Sequence, residues 1–310
     1  MRAKYVSMLE VMDRLPHPAA AKPRGTGTVQ PRIDLHTHST ASDGTLTPTE
    51  LMRAAAEAGL SAIALTDHDT LAGLPEAAAE AERLGIELVP GCELSLDNGN
   101  LPTHMLALFV DQPGGAVAHE LDRVMRARGR RNEEMIEKLR TVGVHLKHED
   151  VLRHADGVVG RPHIAQAMLT AGMVKSFDEA FARFLGQGGL AYIPKEKLSP
   201  REAIAAVHAD GGLAILAHPY LLSQQTRHLE SLLTDLKAQG LDGVEVYYTE
   251  HSDRYTAEVA RLAEALGLLK SGGSDFHGAV KPGVRLGRGR GGLFVPGSLL
   301  DEMKAARPRA

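Results

Sequence analysis

The chain lacks tryptophan and carries only six phenylalanines and six tyrosines, so a core built around large rings is excluded and Leu, Val, Ile and Ala must carry the packing. Its one cysteine, Cys92, excludes an intrachain disulfide framework and fits a reducing compartment. No apolar run approaches the roughly 18–20 residues a bilayer span needs. Residues 1–31 hold no apolar segment of the signal-peptide kind; PHPAAAKPRGTGTVQPR reads as a flexible N-terminal extension, and a cytoplasmic protein is expected. A net charge of −4 gives no chain-wide field for nucleic acid or an anionic membrane, so neither is expected as a stable partner. No Gly-x-x-x-x-Gly-Lys loop is present to cradle a nucleoside triphosphate.

What is present is a rhythm. From residue 32, RIDLHTH reads as a strand, and Thr47-Pro48-Thr49-Glu50 is a capping box that launches the helix LMRAAAEAGL. SAIALTDH, IELVPGCELS and LPTHMLALFV read as further strands, the first two separated by the helix LPEAAAEAERLG. The alternation resumes after residue 200 with the strands LAILAHPY, DGVEVYY and LLKSGGSD between helices. Apolar strands spaced by helices mean parallel βα units, and six or seven of them suggest a closed barrel. Residues 113–195 break the pattern with consecutive helical segments, predicting a helical insert over the active site, between barrel portions at 32–112 and 196–295.

Nine side chains of metal-ligand type fall at the ends of these strands: His36, His38, Asp43, His68, Glu93, His104, His218, Asp275 and His277. A lone His-x-His is poor evidence, because 15 histidines in 310 residues give about 0.7 such pairs by chance. Placement is what raises it. Residues two apart on a strand share a face, so Asp34, His36 and His38 are expected to project into the barrel while Ile33 and Leu35 point away. His68, Glu93 and His218 each follow an apolar run, and ligands at strand ends converge on one barrel mouth. Nine ligands exceed what one ion coordinates, which points to two or three metals sharing a bridging carboxylate; imidazole with carboxylate suits Mn, Zn or Fe and also admits Mg. Asp67, Asp69 and Asp34 are candidates to fix imidazole tautomers from behind, or are caps and loop acids. His145 and His148 lie on an exposed, Lys-bearing segment and are discounted.

Taken together, IDLHTHSTASDG, ALTDHDT, PGCE, AHP and GSDFHG resemble, in order, the motifs of the polymerase and histidinol phosphatase (PHP) family of metal-dependent phosphoesterases, over about residues 32–290. The resemblance implies a distorted (β/α)7 TIM-like barrel with an inserted helical subdomain and a trinuclear site. One metal would take His36, His38, Glu93 and Asp275; a second Asp43, His68 and His277; a third Glu93, His104 and His218. Asp at position 43, with the helical insert, resembles the branch of 3′,5′-nucleoside bisphosphate phosphatases, some of whose relatives degrade short RNA from the 5′ end. That implies hydrolysis of a nucleotide phosphomonoester by a metal-bound hydroxide. The insert offers Arg126, Arg128, Arg130 and Arg131, then Arg161 at a helix start, with Lys195 beyond. Arg161, Arg130, Arg131 and Lys195 are the expected contacts to a second phosphoryl group, though the arginine run also reads as a solvated helix face. Rival readings are a 5′–3′ exonuclease on short RNA, a histidinol-phosphate phosphatase, and a non-catalytic metal-stabilised module; the full ligand set argues against the last.

Overall fold

The computed structural model describes residues 31–99, 101–154 and 159–307. The N-terminal extension expected over 1–31 therefore lies, apart from Pro31, outside the described residues. In chain order the elements are β1 (Ile33–Asp34), α1 (Pro48–Glu57), β2 (Ala62–Leu65), α2 (Leu74–Leu84), β3 (Glu87–Asn98), β4 (Leu101–Leu108), α3 (Ala116–Thr141), α4 (His148–Leu152), α5 (Arg161–Thr170) and α6 (Phe177–Ala180). A π-helical turn, Phe181–Leu185, follows. Then come α7 (Pro200–Ala209), β5 (Leu213–Leu216), α8 (Pro219–Leu222), α9 (Thr226–Ala238), β6 (Gly243–Tyr248), α10 (Asp253–Leu266), β7 (Leu269–Gly273) and α11 (Ser298–Ala306). Among the described residues no helix is long and apolar enough to cross a membrane.

The seven strands form one sheet in sequence order. It closes on itself where Leu35 donates to the Gly272 carbonyl, Asp275 to that of His36 and His38 to that of Phe276. A Cβ at Gly273 would overlap the backbone of His36, so that closure requires glycine there. The capping box at Thr47 forms as its sequence demands, the Thr47 hydroxyl accepting from the Glu50 amide.

Two expectations are corrected. The strands are not uniformly parallel: β4 runs antiparallel to both β3 and β5, while the other neighbouring pairs with a recorded register are parallel. The cause is the connection, because β4 begins three residues after β3 ends at Asn98, with no helix between them, and a crossover to a parallel strand needs a dozen or more residues. The face assignment on β1 is also reversed. Ile33 and Leu35 pack with Ala62, Ala64, Val89, Leu106 and Ile215 in the apolar filling of the barrel, sealed below by Leu299, Leu300 and Met303 of α11. Asp34 turns the other way, and regular pairing ends there; the irregular backbone beyond is what lets His36 and His38 reach the mouth.

Between β4 and β5 the described chain is helical, with a hydrophobic cluster of its own. Met135, Ile136 and Leu139 of α3 meet Ile164 and Met168 of α5, with Phe184 and Leu185 from the π-helical turn. The first turns of α3 belong elsewhere: Val117 packs in the layer between the sheet and α7, α9 and α10.

Candidate metal centre

Six of the seven strands, or the turns that follow them, bring the expected ligands together above the apolar filling of the barrel. Glu93, on β3, is the hub. Its Oε1 lies 2.8 Å from His104 Nδ1 and 2.8 Å from His218 Nε2. Its Oε2 lies 3.0 Å from His36 Nε2, 3.1 Å from His38 Nε2 and 3.4 Å from His68 Nε2. Asp275 Oδ1 stands 3.2 Å from His277 Nδ1 and 3.4 Å from His38 Nε2, and Asp43 Oδ1 stands 3.3 Å from His277 Nε2. His104, on the reversed strand, reaches the same mouth because β4 begins there rather than ends there. Three sets offer donor atoms within 4.8 Å of one another: His36, His38, Glu93 and Asp275; His38, Asp43, His68 and His277; and His68, Glu93 and His104.

The donor set fits cations. His277 Nδ1 lies 2.9 Å from the Asp275 carbonyl, which can only accept, so Nδ1 carries a proton and Nε2 is the atom left to meet Asp43 or a cation. His38 is buried, and neither of its ring nitrogens makes a hydrogen bond. Burial alone would lower the His36 pKa, but Glu245, Glu93 and Asp275 around it hold it well above the ordinary imidazole value. Burial likewise works to raise Glu93, yet His36, with hydrogen bonds from His104 and His218, keeps it far below the usual carboxylate range. Asp43 and Asp275 are depressed as well, the first chiefly by its hydrogen bond with His277, the second by the His36 and His38 imidazoles against the opposing effect of burial. Ionised carboxylates and imidazoles packed this closely suit divalent cations, which can take the place of the protons the imidazoles share with Glu93 and Asp43.

Among the described residues four non-glycine positions have left-handed backbone, and Asp69 (φ 50°), His218 (φ 30°) and Asp275 (φ 55°) are three of them. Strain of this kind collects where surrounding structure must aim a side chain. The cluster is open on one side: the Asp43, His68 and His104 side chains are 56%, 25% and 26% exposed, whereas His36, His38 and Glu93 are fully buried.

The carboxylates expected behind the imidazoles do something else. Asp67 accepts from Ser39 and Ser42 and so fixes the loop that carries Asp43. Asp69 accepts from the Ser95 amide at 2.8 Å, and Asp34 accepts from Ser274 and Gly287. Adjacent residues on an extended chain face opposite ways, which turns Asp67 away from the side that His68 faces. The imidazole partner that sequence reasoning missed is Glu245, on β6, buried and accepting from His36 Nδ1–H at 3.1 Å. Its signal was a lone carboxylate between two apolar residues in GVEVYY. Tyr248 and Lys281 hold the outer oxygen of Asp275, at 3.0 and 2.5 Å. Cys92 is fully buried, which raises its thiol pKa well above the ordinary value and removes it as a nucleophile.

Of the expected basic contacts, Lys195 lies beside the open side, its Nζ 3.5 Å from Asp69 Oδ2, with its pKa lowered by burial. Arg131 is buried, donating through Nε to the Ile193 carbonyl at 2.7 Å, and the charge of Arg161 adds to burial in lowering its pKa. Arg161 donates to the Leu185 carbonyl at 3.2 Å and lies over the rings of Phe181 and Tyr192. Arg130 is exposed. Arg128 takes its place, because residues three apart share a helix face and its charge depresses both Arg131 and Lys195. Among the described residues Arg128, Arg131 and Arg161 have no carboxylate partner.

A seven-stranded barrel with a buried His/Asp/Glu cluster suited to metal binding at its mouth is the architecture of a metal-dependent hydrolase. The comparisons agree. A PHP domain is matched over residues 34–159. The 5′-3′ exoribonuclease of Haemophilus influenzae is 37% identical over 79% of this chain and 90% of its own length. The 3′,5′-nucleoside bisphosphate phosphatase of Chromobacterium violaceum is 35% identical over 82% and 90%. Among solved structures, one from Bifidobacterium adolescentis, described as a metal-dependent phosphoesterase, superposes with a TM-score of 0.65 at 32% identity, covering 89% of this chain and 96% of its own. The chain belongs to the PHP family of metal-dependent phosphoesterases.

Proposed function

We propose that the enzyme removes the 3′-phosphoryl group from a 3′,5′-nucleoside bisphosphate, using two or three divalent ions of the Mn, Zn, Fe or Mg class. Such ions supply a nucleophilic water at neutral pH and neutralise phosphoryl oxygens. The ligands would divide as the Glu93 oxygens do: Oε2 with His36, His38 and Asp275, Oε1 with His104 and His218, and Asp43, His68 and His277 on the open side. The observation that carries the choice of substrate is the row Lys195, Arg128, Arg131 and Arg161, in which one carboxylate, Asp69, answers four cations. Guanidinium groups without counter-ions beside a phosphoester-hydrolysing centre suit a second phosphoryl group on the substrate.

The same row favours a second reading. A line of cations with Tyr192 against Arg161 suits the 5′-phosphorylated end of a short RNA, and the relative from Haemophilus influenzae is named for that activity. Turnover of adenosine 3′,5′-bisphosphate, a 5′-phosphorylated RNA oligomer and histidinol phosphate, measured in parallel with Mn, separates the readings. The bisphosphate is expected to have the highest kcat/KM; preference for histidinol phosphate overturns both. Arg161→Ala is expected to lower kcat/KM for the bisphosphate by about 10- to 100-fold while leaving an aryl phosphate within about threefold, since a charge-assisted contact of this kind contributes about 1.5–3 kcal/mol. Equal losses on the two substrates refute the assignment of Arg161.

A further inference from the structure

Every strand except β6 carries a proposed ligand on itself or on the turn that follows it. What β6 places at the cluster instead is Glu245, fully buried, whose two oxygens go to two different histidines. Oε1 lies 3.1 Å from His36 Nδ1, and Oε2 accepts the backbone N–H of His218 at 2.7 Å. The first contact holds a proton on Nδ1, so that Nε2, which lies 3.0 Å from Glu93 and 3.7 Å from Asp275, is the nitrogen left to give up its proton to a cation. The second holds a strained turn. His218 sits at φ 30°, ψ 61°, and this backbone bond keeps its Nε2 2.8 Å from Glu93 Oε1.

We propose that Glu245 is the positioning residue that couples two parts of the centre, setting the donor atom of His36 on the Oε2 side of Glu93 and the aim of His218 on the Oε1 side. This rests on the metal reading given above. A carboxylate is needed because both partners are donors. Glutamine has one acceptor oxygen, so it satisfies either the His36 ring or the His218 amide and opposes the other with its own N–H. Losing such a partner costs metal affinity by about 10- to 100-fold in comparable sites.

The test compares wild type and Glu245→Gln as metal-free proteins titrated with zinc, reading dissociation constants and stoichiometry, with the melting temperature of each metal-free protein as a control. The expected result is zinc affinity lowered by about 10- to 100-fold at one or more sites, with the metal-free melting temperatures within a few degrees. Equal affinity and stoichiometry in the two proteins overturns the proposal alone; no zinc uptake by wild type overturns it together with the metal reading. A fall in metal-free melting temperature that matches the loss of affinity would mean that Glu245 only holds the fold. Should the variant fail to fold, nitrogen-15 spectra of zinc-loaded wild type decide the matter. His36 is expected to be protonated on Nδ1 and bound through Nε2, and the opposite assignment overturns the proposal.

Discussion

Glu93→Ala is expected to reduce phosphoester hydrolysis to background and to leave the protein with less bound metal than wild type. Five imidazoles approach this one carboxylate, two on Oε1 and three on Oε2, so its removal takes a donor from both sides of the cluster at once. It also withdraws, from a fully buried position, the negative charge that would balance bound cations. Charge stabilisation by metal ions contributes several kcal/mol to such reactions, so the loss in kcat should be about a thousandfold or more. Elemental analysis alongside kinetics checks both halves. Wild-type metal content in Glu93→Ala refutes the bridging role, and residual activity above about a tenth of wild type does so independently.

The largest effect on stability is expected from Asp34→Ala. This buried carboxylate accepts from the Ser274 amide (2.8 Å), the Ser274 hydroxyl (2.6 Å) and the Gly287 amide (2.8 Å), tying β1 to the chain that follows β7. Alanine leaves three buried donors unanswered at the seam where the barrel closes. At the lower end of about 1–3 kcal/mol for each unsatisfied group, since the loosened segment can relax, the expected loss is about 3–5 kcal/mol, or a fall in Tm on the order of 10 °C. A Tm within about 2 °C of wild type would show that the seam is held by the backbone bonds alone. Because Ser274 precedes Asp275, metal affinity should weaken in the same variant.

Much of the centre was legible because metal chemistry restricts residue type and strands restrict direction. His36 and His38, His68 after AIAL and His218 after LAILA could be placed at one mouth without coordinates. The direction of β4 was not read, although Asn98-Gly99 between two apolar strands is a hairpin signal, and Gly99 takes the positive φ (70°) that such a turn requires. Counting strands and helices gave the barrel but treated every connection as a crossover. Glu245 escaped because an isolated acid in an apolar strand reads as a residue on a half-wet face. Only the closed barrel shows that both faces of β6 are covered, with Val244 and Val246 in one layer and Glu245 against the imidazoles. Arg130 and Arg131 were indistinguishable in sequence. Neighbours on a helix diverge by about 100°, and the packing of Met135 and Leu139 decides which of them turns inward.

The reversal of β4 also fixes a length. Its last residue, Leu108, pairs with Leu213 at the start of β5, so the chain leaves at the end of the barrel opposite the ligands, where Asp210 captures the Ala116 and Val117 amides as α3 begins. Over 26 residues, about 39 Å at the usual rise, α3 works as a ruler between that anchor and the helical cluster holding Met135 and Leu139. Deleting a single residue between Val117 and Arg128 would rotate the arginines by about 100° and retract them by about 1.5 Å. Variation in chain length should therefore be confined to the turns after α3 and excluded from the helix itself.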